Sequence, residues 1–115
     1  MKPIIFGLSE FRITAAERAL FAHAEPAGFI LFKRNIADRA QVSALTQDLR
    51  ALTGQSDLPI LIDQEGGRVA RLSSPIWPDF PAAARFDALY QMAPMTAIEA
   101  ARQNAEAMGH TLAEL

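Results

Sequence analysis

Between Ile60 and Leu72 the chain reads ILIDQEGGRVARL, an apolar run that stops at Asp63 and is followed by Glu65, the pair Gly66 and Gly67, and two arginines, Arg68 and Arg71. A carboxylate at the end of a strand accepts two hydroxyl hydrogen bonds from a polyol or coordinates a hard cation, which makes Asp63 the leading binding residue. The guanidinium groups of Arg68 and Arg71 offer planar donor forks that reach a ligand oxygen or hold Glu65 in place. Gly66 and Gly67 permit positive φ and a close approach of backbone to ligand. The same residues read equally well as loop architecture: a strand-end Asp, a Gly-Gly turn and an E-x-x-R ion pair. The glycine pair belongs to neither G-x-G-x-x-G nor G-x-x-x-x-G-K-[ST], so it does not form a phosphate loop.

Other candidate groups carry less chemistry. His23 and His110 lie far apart in sequence, and neither has an acidic ligand pattern around it, so no metal is assigned. Trp77 and Phe80, within SSPIWPDFP, offer either an apolar platform to a sugar ring or an anchor for a proline-rich loop, and anchoring is the role expected of them. The roles of Asp79 and Asp87 stay open. With no cysteine in 115 residues there is no disulfide framework and no thiolate metal site.

The elements that must position these residues follow from apolar periodicity. Pro3–Leu8 reads as a buried strand. Thr14 and Glu17 form a T-x-x-E capping box, opening a helix with Ala16, Leu20, Phe21 and Ala24 on one face and ended by Pro26. A second strand, Gly28–Phe32, closes in Lys33, Arg34 and Asn35. Asp38 caps a helix carrying Val42, Leu45, Leu49 and Leu52, which stops near Gly54. Leu58–Ile62 is the third strand, and a long connection with a short helical turn near 82–89 leads to a last helix opened by Thr96 and Glu99. Strand, helix, strand, helix, strand, long loop, helix is an α/β order that requires a parallel sheet. Strands without polar alternation imply that both sheet faces are covered, as in a barrel or a doubly wound sheet, and the pattern does not choose between them. A structureless connection as long as Asp63–Met95 is uncommon and usually functional.

Half of the residues are hydrophobic and the formal net charge is -2, with no basic stripe, so the chain reads as one domain over residues 1–115 without a nucleic-acid partner. The apolar run Ile4–Leu8 is too short for a secretory core and no run reaches membrane-spanning length; a cytoplasmic protein is expected.

The strings FGLS, GFILFKRN and DQEGGRVAR, followed by a proline-rich loop and a helix, resemble the amino-terminal part of family 3 glycoside hydrolases. The likeness is to the bacterial β-N-acetylhexosaminidases of peptidoglycan recycling, and it covers the whole chain. It implies the first three strand-helix units of a TIM-type barrel, no cofactor, and retaining hydrolysis of terminal N-acetylglucosamine from muropeptide-like substrates. By the same resemblance, Asp63 and Arg71 match substrate-binding positions, while Gln64, Glu65, Gly66, Gly67 and Arg68 match positions that shape the loop.

In that family the Lys-His segment, the acid/base loop and the aspartate nucleophile follow later strands, so no catalytic residue is expected within 1–115. Retaining hydrolysis needs both groups, and a full barrel needs eight units in roughly 250 residues. The chain therefore reads as an amino-terminal fragment of such an enzyme that either self-associates through its sheet edges or stays partly molten with residual helix. A self-standing α/β sugar-binding module is the alternative, and a nucleotide-binding domain is disfavoured by the missing phosphate loop.

Overall fold

Lys2–Gly7 forms β1, which crosses through Ala15–Ala24 (α1) to the parallel strand Pro26–Leu31 (β2), then through Arg39–Thr53 (α2) to Ile60–Ile62 (β3). These lie in the order β1-β2-β3 within one sheet, as the α/β order requires. The computed structural model describes residues 1–115, which fall into two units, Met1–Asp63 and Gln64–Leu115.

In the first unit the helix starts are set by their caps. The Thr14 hydroxyl accepts from Glu17 N–H, and the Glu17 carboxylate accepts from Thr14 N–H and from the amide and hydroxyl of Ser9. The capping box therefore also ties the loop after β1 to α1. Asp38 accepts from Gln41 N–H at the start of α2, and Gly54, at φ 68°, ends it. Between α1 and β2, Glu25 takes the left-handed turn at φ 48°.

Register divides the sheet into two faces, because side chains alternate along each strand and paired residues share a face. Phe6, Phe29 and Ile60 share one face, with Leu31 and Ile62 beyond them. Phe21 of α1 packs there, 5.4 Å from the Phe6 ring and edge-on to Phe29 at 4.9 Å. Phe21, Phe29, Val42, Leu45 and Leu49 form the buried centre of this unit, and α2 lies beside α1. Ile5, Gly28, Ile30 and Leu61 share the other face. It stays open: Ile5 is 52% and Leu61 42% exposed. The expectation of two covered faces is thus corrected, and so is that of a buried first strand. The reason is geometric, since α1 lies on a single face and β1 is an edge strand whose residues are nearly all exposed.

The connection after Asp63, expected to carry only a short helical turn, holds more structure. Gln64–Gly66 (β4) and Val69–Ala70 (β5) form an antiparallel hairpin, and Ala83–Tyr90 (α3) forms the short helix expected near 82–89. Periodicity does not reveal strands of two and three residues. The last helix, Pro94–Ala113 (α4), starts two residues before the expected Thr96–Glu99 box. Pro94 takes the first turn, where a missing N–H costs nothing. Glu99 then lies inside the helix and pairs with Arg102 at 2.8 Å. The buried line runs through Ala97 and Thr111, whereas Ile98 is 54% exposed. Packing of α3 against α4 sets this rotation.

Candidate functional site

At the carboxyl ends of β1 and β2 the polar residues fold back on the backbone. Asn35 is fully buried in a 3-10 turn, Lys33–Asn35. Its side-chain oxygen accepts from Phe32 N–H (2.9 Å) and its amide group donates to the carbonyls of Leu8 (3.0 Å) and Glu10 (2.9 Å). The Arg34 guanidinium donates through Nε to Leu8 O at 2.8 Å and lies 4.8 Å from the centre of the Phe32 ring. Gln41 continues the clamp, donating to Phe11 O and Asn35 O and accepting from Ala37 N–H. The loops after the first two strands are thereby fixed beside the strand that delivers Asp63. Asp63 follows β3 directly and is half-buried, at the last position of the first unit.

The second unit opens with a clamp made by one side chain. Gln64 is 8% exposed. Its Nε2 donates to Leu72 O at 2.8 Å, while Oε1 accepts from Arg71 N–H and Leu72 N–H, each at 3.0 Å. One amide group thus satisfies three main-chain groups at the point where the chain leaves β5. Arg71, half-buried, is held by its own backbone in this clamp.

The glycines serve the chain itself. Gly66 (φ 92°) and Gly67 (φ 59°) adopt conformations that side chains disfavour, and Gly67 opens a two-residue hairpin turn. Gly67 N–H donates to Phe80 O at 2.7 Å. A Cβ on Gly66 would collide with the Pro81 carbonyl, and one on Gly67 would lie 2.6 Å from Ala82 Cβ. The close approach expected toward a ligand is instead an approach of residues 80–82 to the hairpin. Trp77, 3% exposed, is the buried anchor of the proline-rich loop. Asp79 accepts from Ser74 N–H at 3.0 Å, and the amide and hydroxyl of Ser74 hold its carboxyl below the usual range. The structure thus gives Asp79 a loop-closing role. The expected Glu65–Arg68 ion pair does not form; both side chains are exposed.

Of the two expected substrate residues, Asp63 closes the first unit and Arg71 lies in the second. Sequence reasoning passed over Asn35 and Gln41 and gave Gln64 only a general loop role. The available signals were a polar residue three places beyond an apolar strand, and a D-x-x-Q spacing at a helix start. No cluster of His, Asp or Glu suited to a metal ion is present, and no helix is long and apolar enough to cross a membrane.

Comparison with known proteins gives a consistent picture. The Glycosyl hydrolase family 3 N terminal domain matches residues 5–115. A beta-hexosaminidase from Stenotrophomonas maltophilia (strain K279a) is 38% identical over 102 residues, 89% of this chain and 30% of its own length. One from Xanthomonas oryzae pv. oryzae (strain KACC10331 / KXO85) is 39% identical over 108 residues, 91% of this chain and 31% of its own length. The crystal structure of NagZ from Neisseria gonorrhoeae in complex with N-trifluoroacetyl-D-glucosamine superposes with a TM-score of 0.87 at 29% identity, covering 96% of this chain and 32% of that one. The chain spans under a third of the length of these curated relatives.

Proposed function

The chain belongs to glycosyl hydrolase family 3, matching its amino-terminal domain, and from that premise we propose that it is one wall of the sugar site of a β-N-acetylhexosaminidase. The observation that carries this reading is the strand β3 delivering Asp63 to its carboxyl end, where α/β enzymes bind ligands. Asp63 accepts hydrogen bonds from hydroxyls of the non-reducing sugar, and Arg71 donates to its oxygens. The relatives' name and the N-acetylglucosamine analogue bound by the Neisseria protein support this substrate class.

The finer reading is that terminal N-acetylglucosamine is released from peptidoglycan-derived muropeptides, with retention, in the cytoplasm. The nucleophile and acid/base groups lie outside residues 1–115, and β1, β2 and β3 are the first three staves of a TIM-type barrel. The open sheet face bearing Ile5 and Leu61 supports this, because apolar strand residues of a barrel point into a filled interior. Expressed alone, the chain self-associates through β1, an exposed apolar edge strand. Light scattering behind size-exclusion chromatography checks this, and a sharp monomer peak contradicts it.

The function is tested by hydrolysis of an aryl N-acetyl-β-glucosaminide. The full-length protein carrying this chain should release the aryl alcohol, and residues 1–115 alone should not. Turnover by the isolated chain at the full-length rate overturns the placement of the catalytic groups, and an inactive full-length protein overturns the activity.

A further inference from the structure

Gln64 meets three main-chain groups with one side chain. Its oxygen uses both lone pairs, on Arg71 N–H and Leu72 N–H, and its NH2 donates to Leu72 O. Few side chains offer that combination. A carboxylate has the two acceptors and no donor, an aliphatic residue has neither, and Asn is one methylene shorter than the span. The group is almost entirely enclosed, so water does not replace lost partners. Residues 71 and 72 lie just beyond β5. Their amides therefore take from a side chain the pairing that a ladder supplies elsewhere in a hairpin. What the clamp fixes is the main chain of Arg71, while the other end of the hairpin is held by Gly67 N–H on Phe80 O. A guanidinium meets a sugar oxygen at less entropic cost when the main chain that carries it is already fixed, and an amide clamp on the N–H of Arg71 supplies that constraint.

We propose that Gln64 is a positioning residue for substrate recognition, acting through Arg71 by fixing its main chain. The inference rests on the proposed sugar-binding role of Arg71. It predicts that Gln64 touches no substrate and that its removal matters only while the Arg71 side chain is there to be placed.

A double-mutant cycle in the full-length protein tests this, with KM and kcat measured on an aryl N-acetyl-β-glucosaminide. Gln64→Leu should raise KM about tenfold or more with a smaller change in kcat, the pattern of lost binding rather than lost chemistry. In an Arg71→Ala background the same substitution should change kcat/KM less than about twofold, because coupled residues are non-additive. An equal penalty in both backgrounds, or no penalty in either, overturns the inference while leaving the role of Arg71 standing. If Arg71→Ala itself leaves kcat/KM unchanged, the binding role of Arg71 fails and the inference fails with it.

Should Gln64→Leu not fold, Gln64→Glu carries the test. Its neutral carboxyl can still donate to Leu72 O, whereas the ionised form can only accept. Relative to the unsubstituted protein, its KM should therefore improve as pH is lowered. A KM ratio flat with pH overturns the clamp as the origin of the effect.

Discussion

Replacing Asn35 with Leu removes a fully buried amide but keeps the branch at Cγ; the larger methyl groups add an overpacking cost spread over the surroundings, while the lost hydrogen bonds act at particular main-chain groups. Three bonds disappear, with unequal consequences. Leu8 O keeps the Arg34 Nε donor at 2.8 Å. Glu10 is exposed, and its carbonyl regains water. Phe32 N–H, part-buried, loses the Asn35 Oδ1 acceptor that it meets at 2.9 Å. Taking the acceptor from a partly buried donor costs about 1–3 kcal/mol. At a factor of ten for each ~1.4 kcal/mol, this is roughly a 5- to 150-fold change in the local opening equilibrium. Amide hydrogen exchange reads it directly: Phe32 should exchange faster by that factor, while Phe29, whose N–H donates to Pro59 O, should change much less. Unchanged Phe32 protection refutes the clamp. Equal acceleration at Phe29 and Phe32 also refutes the local reasoning, because the loss would then be global.

Two further perturbations separate other parts of the account. Gly66→Ala and Gly54→Ala both place a side chain at positive φ, but only at Gly66 does the new Cβ meet backbone, the Pro81 carbonyl, with open space around Gly54. Gly54→Ala should cost about 1–2 kcal/mol and Gly66→Ala about 1–3 kcal/mol more; equal losses on urea unfolding remove the packing of residues 80–82 on the hairpin. Burial pushes the Glu17 carboxyl up, but hydrogen bonds from the amides and hydroxyls of Thr14 and Ser9 together outweigh it and leave the pKa lowered. A lowered folded-state value means stability that is present above the unfolded glutamate pKa and lost as pH falls through the folded one. Stability should therefore decline below about pH 4.3, and Glu17→Gln should flatten that decline. An identical acid limb in the variant removes the ionised capping box as its cause.

The elements whose boundaries are local chemistry were legible in the sequence. The Thr14–Glu17 box, the Asp38 cap and the Gly54 terminator stand where residue types alone put them, and α2 buries Val42, Leu45 and Leu49 as its spacing implies. Features decided by tertiary contact were not. Thr96 and Glu99 have the same spacing as Thr14 and Glu17, yet Pro94 starts that helix earlier and α3 rotates it so that Ile98 faces outward. Apolar strands announce that their faces are built for burial. They do not say what covers them, and here Ile5 and Leu61 are open. In the site, Asp63 at a strand end was readable from the abrupt change of polarity after Ile62. The clamps of Asn35 and Gln64 join groups up to 27 residues apart in sequence, and no periodicity encodes such a pairing.

The central claim is that Asp63 binds sugar, and kcat/KM of Asp63→Ala in the full-length protein measures it most directly. Removal of a charged acceptor for hydroxyl hydrogen bonds should cost about 1.5–3 kcal/mol, roughly a 10- to 150-fold fall in kcat/KM on an aryl N-acetyl-β-glucosaminide, with the urea midpoint nearly unchanged. An unaltered kcat/KM in a folded Asp63→Ala protein contradicts the account.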